Sequence, residues 1–344
     1  MSRRSCADVA PRSRASRMLP IACVFAALPA GCIQPDMTAA ERLGFDPGDV
    51  VLIIHADDGG MCHAASQGVI ECLDAGGASS ASVMVPCPAA GEMFEYARSH
   101  PAADIGIHLT LNSEFRSFRW GPVAPLASVP TLLEPGTTHF WTNIQDTAFH
   151  GAAQQVSIEL RAQVDRAVSA GLAPTHLDSH IGAVFLRPDF IEVYRGLAAD
   201  VQVPCFVPRL SVELVKRFAA MKSSAGFAWL LSGQDATVDN LLGGYPRGRD
   251  LAGHKAYILD LLQKLPPGIN EFLIHPAIDT PELRSVTGSW PLRVAEHQTF
   301  TDPEVVEFLH GSSIKLIGWR EIGRRQRESK PLFDAAPTDQ LSSD

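Results

Sequence analysis

Two adjacent carboxylates, Asp57 and Asp58, close the apolar run "VVLIIHADDGG" (50–60). Four histidines follow at wide spacing: His108 in "DIGIHLTL", His176 and His180 in "PTHLDSH", and His275 in "EFLIHP". Each has a plain explanation by itself, as an acidic turn after a strand, a hydrogen-bonded core imidazole, or a strand end. Together they are the donor types that a divalent ion takes. One carboxylate and two imidazoles hold such an ion with positions left for water and substrate, where it polarises a carbonyl and acidifies bound water. A second carboxylate beside it can serve as general base. Successive side chains of an extended strand face opposite ways, so Asp57 and Asp58 are expected to diverge, one toward the ion and one toward the water. Asp178, between His176 and His180, is expected to orient a ligating imidazole, and His275 to protonate a leaving amine. The chemistry so equipped is metal-assisted amide hydrolysis.

These residues need elements to carry them. From Val50 onward, strand-like runs alternate with helix-like segments: "VVLIIHA", "SASVMVP", "DIGIHLTL", "PTHLDSH", "VPCFVPRL", "EFLIHP" and "IKLIGW" are the predicted strands. That alternation predicts parallel strands covered by crossover helices, in a barrel-like α/β domain. The acids and imidazoles fall toward the carboxyl ends of those strands, the face of a β/α barrel where catalytic groups converge. "QQVSIELRAQVDRAVSAG" reads as a helix with Val156, Ile158, Leu160, Val164 and Val168 mostly on one face and Gly171 as its stop. Residues 112–150 and 223–250 lack periodicity, as substrate loops or lids do.

The 344 residues carry a net charge of −9, which argues against a nucleic-acid partner. The first segment differs in kind. Five arginines precede the apolar stretch "LPIACVFAALPAGC", a signal-peptide layout too short to anchor a membrane span. "LPAGC" resembles a bacterial lipobox ending at Cys32, so residues 1–31 are expected to be removed. The protein is then expected to be exported, periplasmic or held by an N-terminal lipid, with simple cleavage as the alternative. Removing that leader, five arginines against Asp8, leaves the remainder at −13. Residues 32–48 read as a polar tether, 49–325 as the domain and 326–344 as a disordered tail. The remaining cysteines, Cys62, Cys72, Cys87 and Cys205, match no zinc module and are expected to be buried thiols.

"HADDGG", "DIGIHLTLNSE", "PTHLDSH" and "EFLIHPA", in this order, resemble the YdjC-like family of carbohydrate deacetylases, and "LRVAEHQTFTDPEV…IKLIGWREI" resembles its closing segment. The likeness runs from about Val50 to Gly323. It implies a distorted β/α (TIM-like) barrel and removal of acetyl groups from N-acetylated carbohydrates. It also implies a divalent metal ion held by Asp58, His108 and His180, with magnesium favoured and zinc or another ion as the alternative. Asp57 would be the base and His275 the acid; His176, Asp178 and Arg293 would stand beside the ligands or against substrate, with His176 also open as a ligand. Two departures stand out. The family commonly has phenylalanine where Gly59 stands, and a further histidine pair where this chain reads "DSHIGAVF". A non-catalytic carbohydrate-binding protein, or a hydrolase of another amide or ester, is the competing reading.

Overall fold

The computed structural model describes residues 37–209, 237–246 and 250–328. The predicted leader, Cys32, most of the 223–250 zone and residues 329–344 lie outside them. β1 (Val50–Gly59) is the centre of the sheet and is buried along almost its whole length, as parallel strands covered on both faces must be. It is followed by α2 (His63–Ala75), after the short N-terminal α1 (Ala39–Arg42), then β2 (Ser80–Val83), α3 (Ala90–Ser99) and β3 (Ile105–Leu109). Next come α4 (Ile144–His150), α5 (Ala153–Ser169), β4 (Leu177–Ser179), α6 (Pro188–Val201) and β5 (Asn240–Gly243). The described chain ends with α7 (His254–Leu262), β6 (Gly268–Ile274), α8 (Pro281–Val286), α9 (Trp290–Phe300), α10 (Pro303–Gly311), β7 (Lys315–Leu316) and α11 (Trp319–Glu328).

All strand pairings are parallel, in the order β4-β3-β2-β1-β6-β5, with β7 on β1. β6 pairs with β1 from Val50 to Ala56, so β7, at Val51 and Leu52, and β2, from His55 onward, share the opposite edge of β1. The ring is completed by residues 204–209 rather than by a strand. The run "VPCFVPRL" touches β4 through a Leu177–Cys205 bridge and the segment before β5 through a Pro208–Val238 bridge. Pro204 and Pro208 have no N–H to give a ladder, so the predicted strand is reduced to isolated bridges, and the barrel is distorted there. Its amino end is filled by Trp319, fully buried, which stacks on His176 and donates from Nε1 to Glu271 Oε1 at 2.9 Å.

The periodicity of α5 is only half as predicted. Val156, Leu160 and Val164 are buried, whereas Ile158 and Val168 are exposed. Glu159 and Gln163 are buried instead: Glu159 accepts from the amides of Val123 and Ala124, and Gln163 bonds both backbone groups of Thr110. α5 thus spends part of its inner face holding the irregular 112–150 segment. Trp120, Val129, Leu132 and Phe140 of that segment are buried in the main hydrophobic core.

Residues 37–48 are not a tether. Thr38 and Glu41 form a capping box on α1, and Ala39, Ala40, Leu43 and Phe45 are buried. Asp239 accepts from the amides of Ala39 (2.7 Å), Ala40 (3.0 Å) and Ile269 (3.0 Å). The domain also runs past the predicted start of the tail: α11 continues to Glu328, with Arg324 and Arg325 paired to Glu321 and the Arg325 guanidinium 3.7 Å over Phe45.

Asp239→Ala leaves three amide donors without their shared acceptor. It is expected to lower stability by about 2–4 kcal/mol in urea unfolding, with Asp239→Asn costing less.

Candidate active site

The backbone at Asp58 decides how the two carboxylates lie. Its φ is +63°, a left-handed conformation that costs an L-residue about 1–2 kcal/mol, and the β1–β2 register shifts between Ala56 and Gly59. This bulge breaks the alternation of the strand. Asp57 and Asp58 therefore line the same cavity, contrary to the divergence expected of an extended chain. The cavity, of about 440 Å³, is also lined by His108, His180, His275 and Arg293, with Phe115, Ile181, Phe185 and Phe206 as apolar walls.

Asp58 Oδ1 is buried and has no hydrogen-bond partner. His180 Nδ1 lies 3.2 Å from it and His108 Nε2 3.5 Å. Those are the spacings that donors take around an ion at bond lengths of about 2.1 Å. The other nitrogen of each imidazole is tied back: His108 Nδ1 donates to Asp178 Oδ1 at 2.8 Å, and His180 Nε2 lies 3.1 Å from Glu114 Oε2. A carboxylate behind each imidazole fixes its tautomer and aims the free nitrogen, as at metal-binding histidines. Asp58 Oδ2 is occupied by Arg293 Nη2 at 2.7 Å. The three donors, the orphaned Asp58 Oδ1 among them, fit a divalent ion.

Burial works against the charge on Asp58, but Arg293 and the two imidazoles hold it well below the usual carboxylate range. Burial also works to lower His180; Glu114 and Asp58 outweigh it and raise it to about 9. His108 is raised by Asp178 and Asp57 against the same burial.

Asp57 Oδ2 faces His275 Nε2 at 3.7 Å. His275 follows β6, and its amide donates to Glu296 Oε2 at 2.8 Å. Arg293 and Glu296, one turn apart on α9, thus hold Asp58 and His275 respectively. His176 is not with the others. It lies deeper in the barrel, its ring in the space that a side chain at Gly106 would fill, and its Nδ1 bonds Thr175 Oγ1. Burial drives its pKa well below the ordinary histidine value. Asp178 orients His108 on the neighbouring strand rather than a histidine of its own segment. Glu114 and His55 escaped the sequence reading. Glu114 stands in the quoted "LNSE", and His55 precedes Asp57 by two, the strand spacing of a shared face.

The YdjC-like family pattern matches residues 51–311. The chain belongs to the YdjC-like family. This YdjC-like protein is 32% identical over 293 residues to a carbohydrate deacetylase of Thermus thermophilus, covering 83% of this chain and 98% of the relative. It is 28% identical to one of Brevibacillus brevis, covering 79% and 99%. A crystal structure from Enterococcus faecalis V583, described as a candidate cellobiose-phosphate cleavage protein, matches with a TM-score of 0.64 at 26% identity, covering 80% of this chain and 99% of that one.

The two departures in sequence differ in kind. A Cβ at Gly59 would meet the Ser82 carbonyl oxygen at 2.9 Å and the Met93 Cε at 3.1 Å. Gly59 lies outside the cavity lining, and fully buried Met93 fills the adjacent space. Ile181 and Gly182 do line the cavity, with φ of +52° and +70°.

Removing the carboxylate behind His180 is expected to loosen its aim. Glu114→Ala should weaken divalent-ion binding by about 10–100-fold in titration calorimetry, with the fold unchanged.

Proposed function

We propose that this YdjC-like protein is a metal-dependent hydrolase that removes acetyl groups from N-acetylated carbohydrates. The observation that carries the reading is the unpaired, buried Asp58 Oδ1 between two aimed imidazole nitrogens, with Asp57 Oδ2 and His275 Nε2 at the same cavity. Curated relatives named carbohydrate deacetylases, matched over nearly their full length, support it. Asp58, His108 and His180 would hold the ion, which when bound supplies polarisation of the amide carbonyl and acidification of water. Zinc suits this donor set, and so does magnesium with waters completing its shell.

The chain's own groups do the rest. Asp57 accepts the proton of the attacking water through Oδ2. His275, half exposed at the rim, delivers a proton to the departing amine nitrogen, so that acetate and a free amine result. Arg293 offsets the negative charge of Asp58, and the Phe115 and Phe185 walls exclude water from the sides of the substrate. The cavity has the size of a small-ligand site.

The test is acetate release from N-acetylglucosamine and its short oligomers, with magnesium, manganese, cobalt or zinc supplied in turn. No release with any ion overturns the reading; glycan binding without release favours a carbohydrate-binding protein on the same barrel. Asp57→Asn is expected to lower kcat by about 10²–10⁴-fold, while ion content and melting temperature stay as in the native protein.

Export is part of the same proposal: the arginine-rich leader and "LPAGC" support a protein that works outside the cytoplasm, tethered through a lipid on Cys32. Cell fractionation checks it. Full-length protein should follow the membrane fraction, and Cys32→Ser should not.

A further inference from the structure

Beneath the cavity, His55 is buried inside the barrel with its Nε2 2.9 Å from Asp178 Oδ2 and 3.0 Å from Asp57 Oδ1. Ser82 Oγ lies 3.2 Å from the same nitrogen and also donates to Asp57 Oδ1, at 3.4 Å. The two oxygens of Asp57 therefore have different surroundings: Oδ1 is held from below, and Oδ2 faces the cavity and His275. The two oxygens of Asp178 are likewise divided, Oδ2 to His55 and Oδ1 to His108 Nδ1.

We propose that His55 is a positioning residue for the hydrolysis: by holding Oδ1 of Asp57 and Oδ2 of Asp178 on one nitrogen, it aims the base's free oxygen at the attacking water. It thereby fixes the base relative to the carboxylate that orients His108. The inference rests on the reading of Asp57 as base.

The physical case has three parts. A carboxylate bound at neither oxygen turns about χ2 at little cost, because that torsion is broad; a donor on one oxygen removes the freedom. Misplacing a reacting group by about 1 Å costs on the order of 10²-fold in rate, so the fixing has a kinetic consequence. Finally, two carboxylates this deep need a shared positive or donating partner. The carboxylates outweigh the burial of His55 and raise its pKa to about 10, so one imidazole serves both. His55 stands outside the Asp58, His108 and His180 group: its polar contacts are with Asp57, Asp178 and Ser82, and its ring meets that of His176 edge-on.

Glutamine and methionine have nearly the same shape, and only glutamine can donate, so His55→Gln and His55→Met separate hydrogen bonding from filling. With the metal-loaded full chain and N-acetylglucosamine oligomers, H55Q is expected to keep kcat within about tenfold and H55M to lose about 10²-fold. KM should stay within about threefold in both, with ion content as in the native protein. Equal kcat in folded H55Q and H55M overturns the proposal, as does loss of ion from both, which would make His55 a ligand. Should H55M not fold, the crystal structure of H55Q decides: Asp57 turned away with undiminished kcat overturns it, and Asp57 held in place with kcat retained supports it. A native protein that releases no acetate overturns the deacetylase reading, and the positioning role falls with it. A native protein that is active beside an unaffected H55M overturns the positioning role alone.

Discussion

Three buried carboxylates, Asp57, Asp58 and Asp178, share one end of the barrel, and the site exists only because each is compensated. Isolated charges at that depth cost several kcal/mol apiece. The compensation comes from His55 between Asp57 and Asp178, from Arg293 on Asp58, and from His108 and His180. One acceptor is left over, Asp58 Oδ1. It makes no hydrogen bond, although His180 Nδ1 and His108 Nε2 lie 3.2 and 3.5 Å away, an arrangement in which the three groups could hold a cation.

The fold serves this arrangement through local departures from regularity. A uniform β1 would send Asp57 and Asp58 to opposite faces; the bulge and the left-handed Asp58 bring both to the cavity. Gly106 gives the interior room for the His176 ring, and Trp319 seals the barrel below it. The 112–150 segment carries Glu114 behind His180 and is itself held by Glu159 of α5, while Gln163 holds Thr110 just before it. Polar groups on the inner face of a covering helix are thus tied, through backbone amides, to the aim of an imidazole.

Much of this was legible in the chain. Most of the strand runs, their parallel pairing and the placing of Asp57, Asp58, His108, His180 and His275 toward carboxyl ends follow from apolar runs and their spacing, whereas "VPCFVPRL" forms only bridges, β5 lies in the zone read as irregular, and His176 precedes β4. The pairing of carboxylates with imidazoles does not follow from them, because it crosses strands. Asp178 reads as the partner of His176 or His180, its neighbours in sequence, yet it faces His108 on β3, since β3 and β4 lie side by side. Residues 37–48 look polar because their buried groups are few, and their anchor, Asp239, lies some two hundred residues away.

The sequence by itself determined which chemistry was available: the residue types, the strands that carry them and the family to which they belong, all properties of short stretches and their order. The tertiary structure decided which oxygen is free, which nitrogen faces it and which histidine is set apart. Those depend on backbone reversals of a single residue and on contacts between strands distant in the chain, where a shift of about an ångström separates a ligand from a bystander.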